Sequence, residues 1–167
     1  NYSKFKKKKL KIPLDGSIQY CKNMSIVKQS RRSAREAVLQ ALYAVEIGEE
    51  IRSKALKDIL GREQRDSETK DFIVHLFEVS LENRDWCEEQ IKSRLNNWEF
   101  KRVAVLDRLL LVIALAEIFF IDTVPPKVSI SEAIQIAKKY STEDSSAFIN
   151  GVLDNIYKNV AEEKLAT

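Results

Sequence analysis

At 167 residues the chain can bury a real core as one domain or two small ones. Four Gly and three Pro, among abundant Leu, Ile, Ala, Lys and Glu, argue against a turn-rich β fold and for helices. The net charge of +3 hides an asymmetry: residues 1–35 carry eleven Lys/Arg and one acid, Asp15, while the remainder is net −7. A basic arm on an acidic body suits a polyanionic partner, and a solvated lysine tail is the plain alternative.

Residues 1–27 show no apolar periodicity. Lys4 to Lys11 is nearly continuous lysine, and Pro13 and Gly16 break any helix, so a disordered arm is expected. Met24 fits a native start, with 1–23 as an extension. No apolar stretch follows the lysines, so no secretory signal is expected. The folded domain is expected over 28–160, with 161–167 as a tail.

Ala34, Ala37, Val38, Ala41, Leu42 and Val45 have helical spacing, with Ser33 and Glu36 as a capping box and Gly48 at the end. A short second helix carries Ala55, Leu56, Ile59 and Leu60 and stops at Gly61. A third runs from about Glu68 to Glu82 with Phe72, Ile73, Leu76, Phe77 and Ser80 on one face. Asp85 and Glu88 suggest a second capping box and a helix from about Trp86 to Leu95.

The fifth helix, about Val103 to Phe120, contains the fully apolar run Leu109 to Ala116. That run is far short of the roughly 20 residues needed to cross a bilayer, so it reads as the buried centre of a bundle. Pro125 and Pro126 predict an extended link. Ser129 and Glu132 form a third capping box, for a helix to Tyr140. A last helix after Asp144, its simplest N-cap, buries Phe148, Ile149, Val152, Leu153, Ile156 and Val160. Gly151 interrupts it at a cost of about 1 kcal/mol, which predicts close approach of another backbone. The sum is an all-α protein of about seven helices.

Catalytic patterns are missing. His75, the single histidine, lies among Phe72, Ile73, Leu76 and Phe77 and reads as a packed or half-exposed helix residue. Cys21 and Cys87 have no Cys or His at metal-ligand spacing, which suits a reduced, cytoplasmic protein without metal or cofactor. The four glycines stand alone, so no phosphate loop is formed. Adjacent acids such as Glu49-Glu50 do not face each other on a helix. No enzyme is expected.

Lys28, Arg31, Arg32 and Arg35 stand out. Extended back to Lys28, the first helix presents them as one basic stripe; capped at Ser33, they form an arm leading into Arg35. Either way cations gather at a helix N-terminus, which the macrodipole disfavours by roughly 0.3–1 kcal/mol each. An anionic ligand would meet both guanidinium groups and free N–H groups. Phe148 and Tyr43 fit either a core or a ring that stacks on a splayed RNA base. Trp86 and Trp98 read as packing anchors.

Two phrases resemble the NusB family. Arg31-Arg32-Ser33-Ala34-Arg35-Glu36 with Gln40-Ala41-Leu42-Tyr43 looks like its arginine-rich first helix. Val124-Pro125-Pro126-Lys127-Val128-Ser129-Ile130-Ser131-Glu132-Ala133 with Phe148-Ile149-Asn150-Gly151-Val152-Leu153-Asp154 looks like its C-terminal half. The resemblance spans about Lys28 to Tyr157. It implies two packed helical sub-bundles in a bacterial, cytoplasmic transcription antitermination factor.

The implied ligand is single-stranded boxA-type RNA of ribosomal RNA operon transcripts. The implied partners are the ribosomal protein that acts as NusE and, through it, RNA polymerase; some members store themselves as homodimers. Arg31, Arg32 and Arg35 would hold phosphates, with Lys28 in the same stripe. Lys127, Asp144 and Phe148 would lie near the RNA and partner surface, and Asp107 would face the partner protein. Ser33, Ala116, Ser131 and Ala147 depart from the usual arginine, tyrosine, asparagine and lysine. A NusB-like domain also opens certain rRNA cytosine methyltransferases, which is the rival reading.

Overall fold

A computed structural model describes residues 31–95 and 99–165, without the side chains of residues 143 and 161–165. The lysine arm, Met24, Lys28, Cys21 and Trp98 lie outside the described residues. Seven α-helices follow in order: α1 (Arg31–Ile47), α2 (Arg52–Gly61), α3 (Ser67–Glu82), α4 (Arg84–Lys92), α5 (Val105–Phe120), α6 (Pro126–Tyr140) and α7 (Glu143–Leu165). A 3₁₀ turn at Phe100–Arg102 precedes α5. No strand occurs among the described residues.

α5 is the axle of the fold. It is buried without a break from Leu109 to Glu117, because an apolar run of that length has no polar face to turn outward. α1 and α3 pack on it with α2 beside them; α4, α6 and α7 pack around it from the other sub-bundle. Leu110, Leu111 and Leu115 meet Ile73, Leu76, Ile91, Ile136, Ile149 and Leu153 in one apolar cluster. Each such side chain contributes roughly 1.5–3 kcal/mol by leaving water.

Helix ends differ from the capping-box expectations. Ser33 lies inside α1, and Glu36 instead accepts from Lys139 Nζ at 2.7 Å and Tyr140 Oη at 3.0 Å. α4 starts at Arg84, before Asp85, and Glu88 bridges Arg84 and Lys92 along the helix face. α6 starts at Pro126, with Pro125 extended before it, so Ser129 is buried in the second turn. Proline at the first helical position lacks only an N–H that would be unpaired there.

Two real caps were not expected. Asp66 accepts from the Thr69 N–H at 2.7 Å and opens α3. Thr142 Oγ1 accepts from the Ser145 N–H at 3.2 Å before α7. Asp144 therefore sits exposed in the first turn of α7 and is not its cap.

The apolar residues of Trp86, Phe119 and Phe120 form an edge-to-face cluster, with centroids 5.1 and 5.3 Å from the tryptophan ring. His75 is exposed on α3, and Tyr43 is exposed rather than core. Gly151 has open space where a Cβ would stand, so no backbone approaches it. Gly48 is the crowded one: a Cβ there would lie 2.7 Å from the Ala44 carbonyl oxygen.

Candidate nucleic-acid and partner interface

The start of α1, the α5–α6 link and the first turns of α6 enclose a groove of about 470 Å³. Arg31, Arg32 and Arg35 line one wall; Val124, Pro125, Val128 and Glu132 line the other. Proline at the head of α6 fixes that wall, and helical spacing sets Glu132 one turn beyond Val128.

The three arginines are not equivalent. Arg35 is 4% exposed and Glu117 1%. Arg35 Nε donates to both Glu117 oxygens, at 3.1 and 2.9 Å, and Nη2 donates to Oε1 at 2.8 Å. The stripe expectation puts Arg35 among the phosphate contacts; its side chain borders the groove but is buried and committed to Glu117. The reason is Glu117, which closes the apolar run of α5. A carboxylate carried into the core needs a cation with it.

Arg32 is half-exposed and holds Glu132 as a two-pronged fork: Nε donates to Oε2 at 2.9 Å and Nη2 to Oε1 at 2.8 Å. Arg35 Nη1 lies 3.8 Å from the same Oε2. Hydrogen bonds from Arg32 hold the Glu132 carboxyl below the usual carboxylate range, against a smaller upward push from burial. Arg31 donates to the exposed Glu68 at 2.6 Å and stacks over the Phe72 ring at 4.4 Å. Lys127 is exposed in the first turn of α6, next to Val128.

Asp107, Asp144 and Phe148 lie elsewhere. They line a second, mostly apolar groove of about 720 Å³, with α7 on one side and Arg94, Leu95, Arg102, Val103 and Ala104 on the other. Phe148 is half-buried, packed against the core while lining this groove. Asp107 is buried; its Oδ2 accepts from Ser145 Oγ at 2.8 Å, and its Oδ1 has no hydrogen-bond partner. Ser145 is held in turn by Ser141 and Thr142. Gly151 and Asn155 continue this wall. The two grooves share no lining residue.

The sequence reading missed Glu117, Glu132, Glu68 and Ser145. Glu117 carried a usable signal, since a lone acid ending an apolar helix implies a buried cation. The Ser129-x-x-Glu132 pattern reads as a local cap, which conceals the reach of Glu132 to Arg32.

The family model described as "NusB family" matches residues 32–158. The chain belongs to the NusB family. The transcription antitermination protein NusB of Chloroherpeton thalassium is 44% identical over 132 residues, covering 78% of this chain and 63% of that protein. The Salinibacter ruber protein of the same name is 42% identical over 135 residues, covering 80% and 84%.

Among solved structures, T. maritima NusB superposes with a TM-score of 0.73 at 37% identity, covering 78% of this chain and 92% of that one. The NusB chain of a complex of the antitermination factors NusB and NusE with dsRNA gives 0.71 at 22% identity, covering 77% and 96%. That second likeness is one of fold. The curated relatives above are both named transcription antitermination proteins. No helix among the described residues is long and apolar enough to cross a membrane.

Proposed function

We propose that the protein binds boxA-type single-stranded RNA of ribosomal RNA operon transcripts through the arginine groove. It does so jointly with the ribosomal protein that acts as NusE, in a cytoplasmic antitermination complex with RNA polymerase. The observation that carries this reading is the Arg32 fork. It grips a planar, two-oxygen anion at the rim of an open groove, and that bidentate geometry also suits a phosphate. Arg31 adds a cation that lines the same groove, and Lys127 is exposed in the first turn of α6; Lys28 precedes them in the sequence.

The second groove suits the partner protein. Its apolar lining and the unpaired Asp107 Oδ1 favour an occupant that brings an N–H donor. Phe148 offers its ring, and Asp144 its carboxylate, along the same wall. A solved complex of NusB and NusE with dsRNA, whose fold this chain shares, supports pairing an RNA ligand with a NusE-type partner. The methyltransferase reading has less support, because the relatives that match are named transcription antitermination proteins.

The test is RNA binding by fluorescence anisotropy across a salt series. Replacing Arg31 and Arg32 with Ala should weaken every RNA and flatten the log–log salt dependence by roughly 0.7 per lost contact. Unchanged affinity and slope in a folded double variant would defeat the assignment.

A further inference from the structure

We propose that Glu132 is a built-in competitor for RNA phosphate: it occupies the Arg32 fork when no RNA is bound and must be displaced for RNA to enter. The inference rests on the RNA-binding reading above. It begins from charge at the groove. Arg31, Arg32 and Arg35 face Glu68, Glu132 and Glu117, so the cluster that looks strongly basic in sequence is neutral in the fold.

The three acids differ in what they can do. Glu117 is fully buried beneath the groove, and taking it from Arg35 would strand a charge in the core. Glu68 is 70% exposed on a side chain that water already solvates, so its hold on Arg31 is weak. Glu132 alone combines a groove-wall position with full use of an exposed arginine. Both donors that form one edge of the Arg32 guanidinium end on its two oxygens. A phosphate approaching that edge finds both donors taken by a carboxylate, which offers two oxygens and one negative charge as a phosphodiester does.

Two consequences follow for binding. An incoming phosphate gains the Arg32 fork only by releasing Glu132 to water, so the net gain is smaller than for a free arginine. The cost is the same for any RNA, because the competitor meets the backbone and not the bases. Glu132 therefore lowers non-specific binding in absolute terms and leaves base-dependent discrimination to other contacts. It also keeps the guanidinium aimed across the groove, from a rigid position on α6.

The experiment measures Glu132→Gln, Arg32→Ala and the double variant against a boxA-type RNA and its scramble, with each fold checked by melting. Glu132→Gln should bind both RNAs about two- to fivefold more tightly, the range expected for a part-exposed ion pair. Its salt slope should steepen by up to about 0.7. The gain should vanish in the Arg32→Ala background. Unchanged or weaker binding by Glu132→Gln, while Arg32→Ala still loses affinity, overturns the competitor. Loss of any effect from Arg32→Ala instead removes the RNA-binding reading at this groove. Should Gln loosen the fold, Glu132→Asp withdraws the carboxylate by one carbon; tighter binding then supports the proposal and unchanged binding overturns it.

Discussion

Arg35 and Arg32 lie three residues apart on α1 and have opposite energetic roles. Removing Arg35 leaves Glu117 charged and unpaired in the core, so Arg35→Ala should cost about 3–5 kcal/mol in urea unfolding. Removing Arg32 breaks a part-exposed pair and should cost less than about 1 kcal/mol. Equal losses would mean that burial does not separate them. Glycine follows the same logic of environment over residue type. Gly151 faces open space, so Gly151→Ala should raise stability by up to about 1 kcal/mol from helix propensity. Gly48→Ala should lower the melting temperature, because its Cβ would meet a backbone oxygen that cannot rotate away. A glycine within an apolar-periodic helix announces a propensity cost; sequence does not say whether crowding offsets it. Here Gly151 lowers the wall of a groove.

The helices themselves were legible because apolar spacing records which face meets α5. Their starts were less so. In all three expected capping boxes the acid is engaged sideways: Glu36 with Lys139, Glu88 with Arg84 and Lys92, Glu132 with Arg32. A Ser-x-x-Glu pattern is local, whereas the competing cation for Glu36 and Glu132 lies about a hundred residues away. Sequence order does not reveal that distance in space. The pairs of Glu132 and Glu88 make stability depend on pH. Arg32 lowers the Glu132 pKa, and Arg84 and Lys92 lower that of Glu88 despite an opposing push from burial. A carboxyl with a depressed folded-state pKa stabilises fully above its unfolded value, near 4.5, and loses that contribution as pH falls through the folded one. The melting temperature should therefore drop as pH is lowered below about 4.5. Glu132→Gln should show a shallower drop; an identical profile would mean that its pairing does not contribute.

Across the whole molecule, the candidate site residues divide between two grooves, and Asp144 and Phe148 fall with Asp107 rather than with the arginines. The chain places Arg31 and Arg32 at one groove and Asp107, Asp144 and Phe148 at another, with no lining residue in common. Linear motifs gave the residue types; only the packing of α6 and α7 around α5 separates them. The division has a measurable consequence. Asp107→Asn keeps the side-chain shape and an oxygen for Ser145 Oγ, and it removes a buried charge whose Oδ1 has no donor. Stability should change little, since Ser145 Oγ keeps an acceptor and the side-chain volume is preserved. Loss of that charge should weaken binding of the ribosomal partner protein, measured by calorimetry, by roughly tenfold or more if a charge-assisted hydrogen bond is lost. RNA affinity without the partner should stay the same, whereas Arg32→Ala should do the reverse: lower RNA affinity and leave partner affinity intact. Sites without shared contacts should also give additive losses when the two changes are combined. If Asp107→Asn, while folded, weakens RNA alone as much as Arg32→Ala does, the two grooves act as one surface and the separation of RNA from partner is wrong.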